Sequence, residues 1–284
     1  MKKLISIFLL CAIPSLLSAS ELKIKYALKL GMIRGKTIME KFQLAKEVGY
    51  DGIEISAPGV NLDEVKAAMK ATGLPVHGVV CSTHWKFNIG DSNPDIRAKS
   101  VKGLEDAIRA AKEVGASTVL LVPGKVTNQV DYKTCWKNSI PEIKKVLPLA
   151  KELGIKVILE NVWNNFLTTP EETLRYIKEL DSDMVGAYFD IGNTVRYSAP
   201  ATWIPVLSKH IIKLDVKDYK RQPEGKNLYN GFRTKIGEGD SDWVKVCAEL
   251  KKISYEGWTT AEVRGGDKKR IAEILAAMKK AFSY

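Results

Sequence analysis

The chain has 284 residues, a formal net charge of +11, 45% hydrophobic and 27% charged residues. That length supports a large core, and the absence of low-complexity tracts or a Pro/Gly/Ser linker excludes a disordered or fibrous chain and argues for one folded domain. The four cysteines, Cys11, Cys81, Cys135 and Cys247, are widely spaced. They exclude a disulfide-stapled scaffold and allow one bridge at most once the leader is removed.

The first element is an export signal over residues 1–20. Lys2 and Lys3 form a positive start, Leu4 to Leu17 is apolar, and Ser18-Ala19-Ser20 supplies the small residues a signal peptidase reads. The apolar stretch is short for a bilayer span and no stop-transfer pattern follows, so no stable membrane insertion is expected after cleavage. Cys11 lacks the small residues that precede a lipoprotein cysteine. The mature chain is therefore expected over residues 21–284, exported and periplasmic. Without Lys2 and Lys3 it keeps 44 minus 2, or 42, basic residues against 33 acidic, a net +9.

Strand-like apolar runs follow at Lys25–Leu30, Gly52–Ile55, Val76–Val80, Thr118–Val122, Val157–Glu160, Val185–Asp190, Ile211–Val216 and Trp258–Val263. Amphipathic helical patterns separate them, such as Ile96, Val101, Leu104, Ile108, Ala111 and Val114 on one face. Thr37-x-x-Glu40 and Thr169-Pro170-x-Glu172 read as capping boxes, and Asn93-Pro94 opens a long helix. The near-identical endings at Gly49, Gly115 and Gly154 place glycine where a helix closes left-handed. Eight βα units in about 264 residues predict a single-domain (β/α)8 TIM barrel, typically about 250 residues long. An open doubly wound sheet is the alternative, but no glycine-rich fingerprint follows the first strand. The irregular stretch Asp218–Gly239 is expected to be a mobile loop over the strand ends.

Four consecutive strands end in acids: Glu160, Asp190, Asp215 and Glu262. A carboxylate at the end of a buried strand needs a partner, and one divalent cation can serve all four. Barrel sites form where strands give way to βα loops. Further candidates there are Glu54, His77, His84, Trp85, Lys125, Asn161, Trp163, Asn193, Lys213, Lys217 and Asp218. Glu54, His77, His84, Trp85, Trp163, Asn193 and Lys217 are assigned to substrate. Glu54 alternatively neutralises Lys29, and Glu160 and Glu262 are alternatively barrel-rim salt-bridge partners of Lys213 or Lys217. His84-Trp85 lies in a loop and suits sugar contact through the indole face. His77 sits on an apolar strand, where a core histidine is as good a reading. Asp215 is alternatively a structural partner of Lys217, and Lys217-Asp218 a pair that fixes the seventh strand.

Leu159-Glu-Asn-Val-Trp163, Phe189-Asp-Ile-Gly-Asn193, Lys213-Leu-Asp-Val-Lys-Asp218, Ile236-Gly-Glu-Gly-Asp240 and Thr260-Ala-Glu-Val263 occur in that order. Over the whole mature chain this resembles the xylose-isomerase-like sugar isomerase/epimerase superfamily. The resemblance implies one divalent metal held by Glu160, Asp190, Asp215 and Glu262, with Glu160 and Glu262 as acid and base. It departs at Asp215, where the family places histidine, and at Asn193, where histidine is frequent. An all-carboxylate set favours Mn2+ or Mg2+, with Co2+ or Zn2+ as alternatives.

The chemistry agrees with that role: moving a proton beside a carbonyl needs a Lewis acid, a base and an acid to return the proton. The expected activity is a metal-dependent isomerase or epimerase forming an enediolate from a small extracytoplasmic carbohydrate. The alternatives are a lyase or hydratase on a keto-sugar or 3-keto-glycoside, a glycoside hydrolase that needs no metal, and a non-catalytic sugar-binding homologue. No nucleic-acid partner is expected despite a pI near 9.3, because three histidines are too few for a multi-zinc endonuclease site. A homo-oligomer is compatible with the sequence.

Overall fold

Eight short apolar runs become eight parallel strands that pair in chain order and close on themselves. The computed structural model describes residues 21–284; the export signal expected at 1–20 lies outside the described residues. The strands are β1 (Lys23–Lys29), β2 (Gly52–Ala57), β3 (Val76–Cys81), β4 (Thr118–Leu121), β5 (Lys156–Glu160), β6 (Val185–Asp190), β7 (Ile211–Val216) and β8 (Glu256–Ala261). β1 pairs with β8, which closes the barrel. Each sequence-predicted strand is present, with ends displaced by at most two residues.

The helices are α1 (Ile38–Val48), α2 (Leu62–Thr72), α3 (Pro94–Glu113), α4 (Tyr132–Leu153), α5 (Pro170–Leu180), α6 (Ile191–Thr194), α7 (Pro200–Leu207), α8 (Trp243–Lys252) and α9 (Lys268–Ala281). Their ends obey local chemistry. Thr37 and Thr169 accept from the backbone N–H of Glu40 and Glu172, and Asn93 accepts from that of Asp95. Each glutamate of the two boxes returns its carboxylate one residue further out, to the N–H of Lys36 and Thr168.

The main core lies between strands and helices and includes Phe42, Leu104, Ile143, Trp203, Val246 and Met278. A separate small cluster of Leu120, Ile158 and Tyr188 fills the barrel interior. Tyr188 and Ile158 stand two residues before Asp190 and Glu160. Alternation along a strand therefore sends those acids inward, one layer higher. All three described cysteines are buried and unpaired. Among the described residues no helix is long and apolar enough to cross a membrane.

Candidate metal centre and sugar cleft

The last inward positions of β5, β6 and β7, with the residue just past β8, put one oxygen each from Glu160, Asp190, Asp215 and Glu262 within 4.8 Å of one another. The backbone N–H of Glu262 donates to the carbonyl of Val216 at 3.0 Å, which extends the β7–β8 pairing far enough to aim it inward. Asp190 caps the short helix α6 through the N–H of Asn193. A pair of asparagines holds it. Asn161 exchanges two hydrogen bonds with the Asp190 backbone, at 2.8 and 2.9 Å. Asn193 donates to Asp190 Oδ2 and to the Asn161 carbonyl, both at 2.8 Å. Both amide hydrogens of Asn193 are therefore used in positioning a carboxylate.

Two lysines stand among the acids. Lys29, the last residue of β1, lies 2.7 Å from Asp215 Oδ2 and 2.5 Å from Glu262 Oε1. Lys217 lies 2.8 Å from Asp190 Oδ2 and also grips Glu262 Oε2. Asp215 thus pairs with Lys29, not with Lys217. Four carboxylates and two ammoniums leave a formal −2. Burial pushes Glu160 well above its usual range, and the charge of Glu262 adds to the shift. Burial would also raise Glu262, but Lys217 and Lys29 outweigh it and hold that carboxyl below its usual range. Burial opposes the charge on Lys29, yet Asp215 and Glu262 keep its ammonium firmly protonated.

These residues fit a divalent ion. The donor set is entirely hard oxygen, its formal charge is the opposite of the ion's, and Asp215 Oδ1 is buried with no hydrogen-bond partner while Oδ2 is taken by Lys29.

Above the acids opens a cleft of about 410 Å3. Lys29, Glu160, Glu262 and Lys217 line its floor; His84, Trp85, Lys125, Trp163, Asn193, Tyr229 and Phe232 line its walls. His84 is buried, which lowers its pKa to about 4, so the ring is neutral at pH 7. Its Nδ1 accepts from the Val122 N–H at 3.2 Å. That leaves Nε2 as the protonated nitrogen, a hydrogen-bond donor. Trp163 is fixed by its own Nε1 donating to the Asn193 carbonyl at 2.8 Å.

Two expected substrate residues are absent from the cleft. His77 is the second residue of β3, four before its end, roughly 13 Å lower at 3.3 Å per residue. Its ring stacks on Trp258 at 4.5 Å, and its nitrogens meet Lys213 Nζ at 2.8 Å and Thr260 Oγ1 at 3.2 Å. It is a packed barrel-interior residue. Glu54 is the third residue of β2 and sits beneath Lys29, 4.0 Å from its Nζ. A Cβ at Gly78 would lie 2.9 Å from Glu54 Oε1, so glycine is what lets this carboxylate occupy the interior.

The Lys217-Asp218 pair also parts: Lys217 enters the cluster and Asp218 faces the following loop. Asp218 accepts from the N–H groups of Tyr219, Gly237, Gly239 and Ser241, and from Ser241 Oγ and Trp243 Nε1. The stretch expected to be a mobile loop is therefore fastened at its base, and it carries a 3-10 turn at Leu228–Arg233. That turn supplies Tyr229 and Phe232, which sequence reasoning missed because an irregular loop has no periodicity to place them. Lys29 was missed as a site residue, although its inward register at the end of an apolar run was the available signal.

A sequence profile described as xylose isomerase-like TIM barrel matches residues 42–281. The chain belongs to this family. It is 24% identical over 236 residues to the L-ribulose-5-phosphate 3-epimerase of Escherichia coli, covering 78% of this chain and 81% of that one. Among solved structures, a D-tagatose 3-epimerase-like protein superposes with a TM-score of 0.78 at 23% identity, over 90% of this chain and 96% of the other. The 3-keto-D-glucoside 4-epimerase of Escherichia coli gives 0.76 at 22%, over 93% and 100%. These likenesses agree with the barrel and place the chain among relatives that include sugar epimerases.

Proposed function

We propose that this protein is a metal-dependent sugar epimerase or isomerase that moves a proton at a carbon beside a carbonyl of an extracytoplasmic carbohydrate. The observation that carries this reading is the meeting of Glu160 and Glu262, from opposite ends of the β5–β8 run, with Asp190 and Asp215 within 4.8 Å at the floor of the cleft. Glu160, Asp190, Asp215 and Glu262 would hold a divalent ion such as Mn2+ or Mg2+, whose chemistry when bound is Lewis-acid polarisation of the substrate carbonyl.

The chain's own groups perform the proton transfer. One of Glu160 and Glu262 takes the proton from carbon as a carboxylate, and the C–H electron pair moves into the carbon–carbon bond while the carbonyl oxygen gains the charge. The other, as the carboxylic acid, supplies a proton to the same or the neighbouring carbon, and the roles exchange in reverse. Lys29 and Lys217 stabilise the anionic charge that develops between the two acids. The Nε2 hydrogen of His84 orients a substrate hydroxyl, and the Trp163 face packs against the ring.

The test is proton exchange. Purified mature protein, loaded with Mn2+, is incubated in D2O with D-tagatose, D-fructose and L-ribulose 5-phosphate, and deuterium at the carbons next to the carbonyl is read by NMR. Incorporation that chelator abolishes supports the reading. Product formed without any solvent deuterium, in every case, would sink proton exchange through these glutamates.

A further inference from the structure

The cleft floor and its mouth differ in chemistry. The floor is charged, with Lys29, Glu160, Lys217 and Glu262. The mouth is aromatic. Trp163 packs against Phe232 at 4.6 Å, Tyr219 at 4.9 Å and Tyr229 at 5.4 Å between centroids, forming one continuous wall. Arg196 lies 4.8 Å over the Trp163 ring. Tyr229 is 63% exposed, and Trp85, which also lines the cleft, is 56% exposed.

These two exposed rings come from different loops. Trp85 follows β3 and Tyr229 follows β7, which are four strands apart in a closed ring of eight. Both line the same cleft, and the β7 loop brings the Tyr229 ring over to Trp163, which follows β5. Of five large apolar side chains left exposed among the described residues, Trp85, Leu228 and Tyr229 belong to these two loops. Leaving indole and phenol faces in water is unfavourable unless something covers them. Both are held on supported segments: Tyr229 by the loop that Asp218 fastens, Trp85 by its edge contact with His84 at 5.2 Å.

We infer that the mouth is a second binding subsite, and that the substrate is a keto-glycoside whose oxo-bearing ring lies on the carboxylates while a second ring, sugar or aryl, packs against the exposed rings of Trp85 and Tyr229. This rests on the sugar reading above and names its substrate class. A cleft of about 410 Å3 is larger than one pyranose and lies in the range that encloses drug-sized ligands. A phosphorylated monosaccharide would instead call for a fork of cations at the mouth. Among the described residues Lys125 lines the cleft without pairing with the floor acids, and Arg196 is turned onto the Trp163 ring, so the two do not form such a fork.

The experiment is binding, read by calorimetry and tryptophan fluorescence on the purified mature protein with Mn2+. D-glucose, phenyl β-D-glucoside, cellobiose and D-glucose 6-phosphate are compared. The glycosides should bind on the order of 10-fold or more tightly than D-glucose, as expected for one or two aromatic stacking contacts. Tyr229→Ala and Trp85→Ala should each shrink that ratio several-fold, whereas Tyr284→Ala, at an exposed ring outside the cleft, should preserve it. Equal affinity for D-glucose and its glycosides overturns the second subsite and leaves the sugar site standing, as does a preference for the phosphate ester lost in Lys125→Ala. No binding by any of the four also overturns the subsite, while the sugar reading is decided separately by the deuterium exchange above.

Discussion

Replacing Lys29 by Met tests the charge arrangement of the centre most directly. Met keeps the length of the side chain and removes the ammonium that lies 2.7 Å from Asp215 and 2.5 Å from Glu262. The side chain of Lys29 is 16% exposed and that of Asp215 is fully buried, so the pair is screened little by water. Removing one partner of a buried pair costs about 3–5 kcal/mol, because the other charge stays behind uncompensated. At roughly 2–4 °C per kcal/mol for a domain of this size, the variant in chelator should melt about 10 °C below wild type. The formal charge of the cluster falls from −2 to −3, which raises its attraction for a divalent ion. At a fixed Mn2+ concentration the deficit should therefore narrow, each ten-fold gain in affinity returning about 1.4 kcal/mol. The assay is a thermal melt of both proteins in EDTA and across a Mn2+ titration. Equal melting in EDTA, or identical Mn2+ shifts in the two proteins, would refute Lys29 as the counter-cation of these acids.

Other outcomes follow from the same geometry. Glu160→Gln and Glu262→Gln should each lower turnover by about 10^2-fold or more, the range of a lost general base, in steady-state kinetics on a confirmed substrate. Asp215→His in the Lys29→Met background should move metal preference toward Zn2+ or Co2+ in competitive titration, since it exchanges a carboxylate for a softer nitrogen while removing the ammonium that the carboxylate neutralised. Asp218→Ala strips six donors of their acceptor and should speed proteolysis within residues 219–240 before the barrel itself is cut. His84 has a folded pKa lowered to about 4, so its contribution to stability is complete above its unfolded value near 6.5 and is lost as pH falls toward 4. Asp190, raised to about 6 by burial against the pull of Lys217, contributes with the opposite sign over part of that window. The difference between wild type and His84→Gln in urea melts isolates the histidine: wild type should lose on the order of 3 kcal/mol more between pH 7 and pH 4. Mass spectrometry of exported protein should find its N-terminus at Glu21; an intact Met1 would remove the basis for an extracytoplasmic substrate.

The barrel was legible because each unit advertises itself: Thr37 and Asn93 open helices, Gly49 and Gly154 close them, and a run of branched residues follows. The acids were legible for a related reason. Glu160, Asp190, Asp215 and Glu262 end or follow buried strands, where a carboxylate is too costly to be incidental. Depth within the barrel was not legible. His77 and Glu54 lie on strands with the right alternation, but only the position of each strand end tells a cleft residue from a packed interior one. Lys29 hid in plain sight, since a lysine at a strand terminus usually reaches solvent and here turns inward to meet Asp215. Tyr229 and Phe232 could not be placed from sequence, because their position depends on hydrogen bonds that Asp218 makes to residues nineteen and more positions further on.

Asp218 has a consequence for how such a cleft can change. Its partners sit immediately beside it and at Gly237–Trp243, so the excursion between them is closed at the neck. At Gly239 a Cβ would collide with the carboxylate, which keeps the neck tight. Everything beyond the neck, including the stretch that carries Tyr229 and Phe232, hangs from this socket as an exchangeable cassette. The entropic cost of lengthening a closed loop grows only logarithmically. Residues 221–235 can therefore be swapped or extended to present a different wall while the strand ends that carry Asp190, Asp215 and Glu262 keep their register.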